Sequence, residues 1–167
     1  MPGAWGEILL YAEKIKEDRQ NVPYPAQRTL QGPIRVLITD DPMQARAGLR
    51  LFLLAFDDLE LVGEAASGAE ALDLCARARP DVVLMDLLVP GLDAACLTCS
   101  IRQRFPAIHV IALTSFGAEK TAQGVLEAGA SGSILKNISA AELAEAIRAA
   151  HAGQALPSSD VPQTQIL

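Results

Sequence analysis

The sequence predicts one α/β domain built on a five-stranded parallel sheet with helices on both faces, and three observations carry that expectation. Between Ile34 and His151, short apolar runs alternate five times with amphipathic stretches of helical period. The run Val82-Val83-Leu84-Met85 is apolar on both sides, as a strand covered by helices on both faces must be. Composition agrees, since 50% hydrophobic but only 4% aromatic residues in a chain of 167 suit a core of Ala, Leu and Val.

Ahead of the alternation, residues 4–19 place Ile8, Leu9, Ala12 and Ile15 on one helical stripe, with Glu13, Lys14, Lys16 and Glu17 beside it. This extra N-terminal amphipathic helix needs a surface, either its own domain or a docking or dimerisation partner. Asn21 to Pro33, with three prolines and a glycine, reads as a linker, so residues 1–33 stand apart from a domain over 34–155. Residues 156–167 are a polar tail or the start of a further linker.

Within the domain, Ile34-Arg-Val-Leu-Ile-Thr is the first strand, and Pro42 to Phe56 the first helix, with Ala45, Leu49, Phe52, Leu53 and Phe56 on one face. Leu59–Ala65 is the second strand, and its helix runs from Gly68 to Arg79, stopping before Pro80. The third strand is Val82–Met85, followed by a helix over Asp93–Arg104. The fourth is Ile108–Leu113 with a helix over Ala118–Ala128, and the fifth is Gly132–Leu135 with a helix over Ala140–His151.

Strands one, three and four are nearly continuous apolar runs, whereas strand two alternates (Leu59, Glu60, Leu61) and strand five is mixed with Ser131, Gly132 and Ser133. The mixed strands belong at the edges. Right-handed crossovers then give the flavodoxin-like, doubly wound order 2-1-3-4-5, which opens a crevice at the C-terminal ends of strands one and three.

Those ends carry Asp40, Asp41 and Asp86. Three converging carboxylates repel unless a cation neutralises them, and oxygen ligands without His or Cys suit Mg²⁺. Asp41-Pro42 also reads as an N-cap followed by Pro in the first helical turn, which accounts for Asp41 alone. Thr114 ends strand four and Lys136 ends strand five on the same rim. Together these residues offer what phosphoryl transfer to a carboxylate requires: a nucleophile, charge for the phosphoryl oxygens and a hydroxyl donor.

Other functions are disfavoured. A net charge of −6 argues against this chain gripping nucleic acid directly. Cys75, Cys96 and Cys99, odd in number and without an export signal, read as reduced thiols in a cytoplasm, and Cys96-Leu-Thr-Cys99 has no second half to complete a metal site. No apolar run reaches membrane-spanning length. A nucleotide or flavin site would need a Gly/Ser/Thr-rich loop after strand one, where the chain has Asp40-Asp41-Pro42-Met43-Gln44.

Over Ile34 to Leu156 the sequence resembles the receiver domain of two-component response regulators. The matching motifs are Asp40-Asp41, Leu84-Met85-Asp86 with Pro90-Gly91-Leu92-Asp93, Leu113-Thr114, and Gly129-Ala130-Ser131-Gly132 leading to Lys136. Arg46-Ala47-Gly48-Leu49-Arg50 and the last helix are similar to receivers that precede a LuxR-type (NarL/FixJ-like) helix-turn-helix. The resemblance implies that Asp86 is the phosphoacceptor, that Asp40, Asp41 and Asp86 hold Mg²⁺, that Lys136 contacts the phosphoryl group and that Thr114 moves toward it. It implies a sensor histidine kinase as donor, a cytoplasmic signalling role in transcription rather than metabolic enzyme activity, and a homodimer as one state of the phosphorylated chain.

The chain departs from that pattern at four places. Ser133 replaces the usual Tyr or Phe three before the lysine, Val89 stands where Met is frequent, Ala94 where Gly is, and Pro42 where His is. No helix-turn-helix follows Pro157, which leaves a stand-alone receiver or the front of a longer transcription factor as the two readings. Ser133 favours an alternative in which the receiver fold works as an adaptor without phosphorylation. Leu88 and Phe116, each two residues beyond a site residue, are apolar where a hydrolytic water would approach, so the aspartyl phosphate is expected to be long-lived.

Overall fold

The computed structural model describes residues 32–41, 46–89 and 91–156. The expected N-terminal helix, most of the linker, Pro42 and the tail from Pro157 lie outside them. The elements are β1 (Ile34–Thr39), α1 (Arg46–Leu54), β2 (Leu59–Ala65), α2 (Gly68–Ala78), β3 (Val82–Asp86), α3 (Ala94–Arg104), β4 (His109–Thr114), α4 (Glu119–Glu127), β5 (Gly132–Leu135) and α5 (Ala140–His151). The strands form one parallel sheet in the order β2-β1-β3-β4-β5.

Alternation along the three central strands divides the core. Ile34, Val36, Ile38, Val82, Leu84, Ile111 and Leu113 face α1 and α5, where they pack on Leu53, Leu143 and Ile147. Leu37, Val83, Met85, Val110 and Ala112 face the opposite way onto α2, α3 and α4, against Cys75, Leu97, Ile101 and Val125. Both faces being covered explains why β3 is buried throughout, while the edge strand β2 is half-exposed along most of its length.

Element ends shift by one or two residues from the sequence reading, each for a local reason. Asp93 is the N-cap of α3 rather than its first residue, its side chain accepting from the Cys96 N–H at 2.9 Å. Arg79 closes α2 in the left-handed region, with φ 47° and its N–H bonded to the Cys75 carbonyl. α1 ends at Leu54 instead of Phe56, whose N–H bonds the Leu53 carbonyl in a tighter turn. β3 continues to Asp86 and β4 runs from His109 to Thr114, because Asp86 pairs with Leu113 across the ladder. Leu156, expected to begin the tail, is 9% exposed and joins the core beneath α1 and α5.

Candidate functional site

Strand register sets the site. β1 and β3 lie side by side with Thr39 opposite Met85, so the next residues, Asp40 and Asp86, emerge together from the C-terminal edge of the sheet. Both are almost fully buried, at 0% and 2% exposure, and their carboxyl groups stand within hydrogen-bonding reach of each other. Lys136 follows β5 and crosses the end of β4 to pair with Asp86 Oδ2; its own N–H donates to the Thr114 carbonyl at 2.9 Å. Asp86 Oδ1 accepts from the Leu88 N–H at 2.9 Å, and Asp40 Oδ1 from the Asp41 N–H at 2.7 Å.

One lysine faces two carboxylates, and the pair divides its charge unequally. Burial, reinforced by the hydrogen bond to Asp86 and by its negative charge, pushes Asp40 up to about 7. Burial alone would raise Asp86 as well. The adjoining Asp40 carboxyl, hydrogen bonds from Lys136 and from the Leu88 N–H, and the lysine charge hold it below the ordinary carboxylate range instead. Near neutral pH the site therefore holds an ionised Asp86 next to an Asp40 that keeps its proton part of the time.

Asp40 Oδ2 is buried without a hydrogen-bond partner, as is the hydroxyl of the preceding Thr39. An orphaned carboxylate oxygen beside a second carboxylate suits a hard cation. Asp41 is half-exposed, and among the described residues no three His, Cys, Asp or Glu side chains draw together into a ligand cluster. The structure thus brings together Asp40, Asp86 and Lys136, with the buried Thr114 closing the same rim, while Asp41, next in the chain, is half-exposed.

Leu88, whose N–H bonds Asp86, and Phe116 are exposed apolar side chains, at 56% and 83%. Sequence reading missed the Leu88 N–H as a partner of Asp86, since main-chain donors leave no trace in residue identity. Cys96 and Cys99 are free thiols on α3, and Cys75 is buried, its thiol pushed up to about 11 by that burial. Among the described residues no helix is long and apolar enough to cross a membrane.

Comparison with known proteins agrees with this geometry. Residues 36–148 match the response regulator receiver domain family. The transcriptional regulatory protein LiaR of Bacillus subtilis is 44% identical over 121 residues, covering 72% of this chain and 57% of LiaR. The response regulator protein VraR of Staphylococcus epidermidis is 37% identical over 128 residues, covering 77% of this chain and 61% of VraR. The chain thus spans less than two thirds of the length of these curated relatives. Among solved structures, a LuxR-family two-component response regulator from Aurantimonas sp. SI85-9A1 superposes with a TM-score of 0.71 at 35% identity, covering 79% of this chain and 94% of that one. The response regulator domain of Thermotoga maritima CheB gives 0.64 at 32% identity, covering 72% and 97%. By fold, site and relatives, the chain belongs to the response regulator receiver domains of two-component systems, and within them to the LuxR type.

Proposed function

We propose that this receiver takes a phosphoryl group on Asp86 from a phosphohistidine of a sensor histidine kinase, in a Mg²⁺-dependent step. The observation that carries the reading is the environment of Asp86: a carboxylate held ionised at the end of the central strand, paired with Lys136 and backed by a second, partly protonated carboxyl. An Asp86 oxygen attacks phosphorus, the P–N bond to the donor imidazole breaks, and that nitrogen leaves with the bond pair and is protonated by solvent. Lys136 can turn from the carboxylate to a phosphoryl oxygen without leaving the rim, and the Leu88 N–H keeps the acceptor oriented.

Asp40 and Asp86, with the orphaned Asp40 Oδ2, fit Mg²⁺ and would hold it together with Asp41. When bound, the ion supplies positive charge against the phosphoryl oxygens. The only turnover in this reading is slow hydrolysis, in which water attacks phosphorus and returns the free carboxylate and inorganic phosphate. The role in the cell is a cytoplasmic switch for transcription, through an output segment such as the relatives' greater length can hold. Pairing of phosphorylated copies is part of the same proposal.

The test is intact mass after incubation with acetyl phosphate, with and without Mg²⁺, alongside Asp86→Ala. A single phosphate increment that needs Mg²⁺ and is lost in the variant is expected. The small Ser133 buried in β5 favours a second reading, an adaptor that works without phosphate. A folded protein that takes no phosphate under any of these conditions would count against the phosphoacceptor reading and favour that alternative.

A further inference from the structure

Cys96-Leu-Thr-Cys99 has no part in the site at Asp86, and its surroundings are not those of packing cysteines. Helix α3 turns Ala94, Leu97, Thr98 and Ile101 into the core, so the stripe of Cys96, Cys99 and Gln103 faces outward. Cys96 is exposed and Cys99 half-exposed, whereas Cys75, the remaining cysteine of the chain, is fully buried as a packing thiol is. The turn that carries the pair is fixed at its start and in its middle: the Cys96 N–H donates to Asp93 at 2.9 Å, and Thr98 Oγ1 to the Ala94 carbonyl at 2.7 Å. Ala95, one turn before Cys99 on the same face, is the near neighbour of Gly124 on α4, where a Cβ would stand 3.8 Å from its own. The contact between the two helices beside Cys99 is therefore made by small residues.

Spacing decides what such a pair can hold. Cβ atoms three residues apart on a helix stand about 5–6 Å from each other, while a disulfide needs them about 3.5–4.5 Å apart. Direct closure of a sulfur–sulfur bond would therefore distort the first turns of α3, and a single atom between the sulfurs would not. A structural zinc ion closes at four ligands, and among the described residues no third His, Cys, Asp or Glu draws together with the pair. Thiolates also select monovalent copper, a soft ion that two sulfurs satisfy without a second half to the motif. We infer that Cys96 and Cys99 form a two-thiolate site for Cu⁺, bridging one turn of α3. Two sulfur–copper bonds form, the two thiol protons pass to solvent, and the copper stays monovalent. The site stands apart from the phosphoacceptor reading, since neither sulfur is among the groups that meet at Asp86.

The test is anaerobic titration of the whole, reduced chain with Cu⁺ in competition with a chromogenic Cu⁺ chelator such as bicinchoninate, without phosphodonor. One equivalent of copper is expected to pass from the chelator to the protein. Two donors fixed on one turn act at high effective concentration, so Cys96→Ser and Cys99→Ser should each lose at least about a hundredfold in affinity, and the double variant little more. Circular dichroism confirms that these surface variants fold. The double variant keeps Cys75, and so reads any copper held by the buried thiol alone. Failure of the parent chain to take copper from the chelator would overturn the site. So would single variants that bind within about threefold of the parent, since the two thiols would then not act as a pair. Copper held by the double variant at parental affinity would move the ion to Cys75 and overturn it equally.

Discussion

Asp40→Asn isolates the electrostatic strain of the site. Asp40 has no solvent exposure, and in the folded protein its carboxyl is raised from 3.8 to about 7 by burial and by Asp86. A group raised in this way binds more protons folded than unfolded, so without divalent ions stability falls as pH climbs from about 4 through about 7 and is level beyond. At about 1.4 kcal/mol per tenfold the whole interval corresponds to about 4 kcal/mol, of which about 3 falls between pH 5 and pH 8. Asparagine keeps the shape and removes the charge. In EDTA the parent should lose about 10 °C in Tm between pH 5 and pH 8, and Asp40→Asn should lose far less. His109, held below its ordinary value by burial and by Arg102 and His151, contributes a slope of opposite sign, but equally in both proteins. Thermal unfolding followed by circular dichroism at pH 5, 6.5 and 8 measures the difference, and parallel pH profiles for the two proteins would refute the assignment.

Leu88→Asn places a hydrogen-bonding side chain on the exposed rim, and should shorten the aspartyl phosphate lifetime several-fold, read from decay of the phosphate mass increment. Ser139→Ala removes the capping box of α5, in which Ser139 Oγ accepts from the Glu142 N–H at 3.2 Å and Glu142 from the Ser139 N–H at 2.8 Å; urea unfolding should register a loss of about 1 kcal/mol. Arg148→Ala breaks a two-pronged contact to Asp58, at 2.7 and 2.9 Å, and a stacking contact 5.4 Å above the Phe56 ring. With a third of its side chain exposed, that change should cost about 1 kcal/mol and shrink in high salt, measured in the same way.

The five strands, their order and the partners at their ends were legible because hydrophobic period and strand-end position are properties of residue type. β2, β5 and α5 fall where the sequence places them. Element ends were less legible where one side chain decides between capping and joining a helix, as at Asp93 and Arg79. Asp40 and Asp41 both read as metal ligands in sequence, Asp41 also as an N-cap. Folding sends one into a fully buried pocket against Asp86 and leaves the other half-exposed, a difference set by strand direction and invisible in composition. Leu156 packs on Gly132, 24 residues before it, and that glycine has no side chain to signal the contact. Residue type carries charge and period; it does not carry close approach of main chain.

Charge counting gives the site a pH behaviour of its own. Lys136 neutralises Asp86, and the ionised form of Asp40 is then in excess within a buried space. A phosphoryl group on Asp86 adds further negative charge at the same point, so the product is disfavoured unless a cation arrives or Asp40 keeps its proton. If Mg²⁺ binds at Asp40 and Asp86 as proposed, a proton on Asp40 below about pH 7 would supply part of the charge that the ion would supply above it. The ratio of phosphorylation rates with and without Mg²⁺ should therefore widen as pH rises from 6 to 8, and in Asp40→Asn it should be nearly constant. Initial rates of mass increment at fixed acetyl phosphate measure it. A ratio independent of pH in the parent would mean that Asp40 does not take part in the charge balance of the step, and the ion would then act through other ligands.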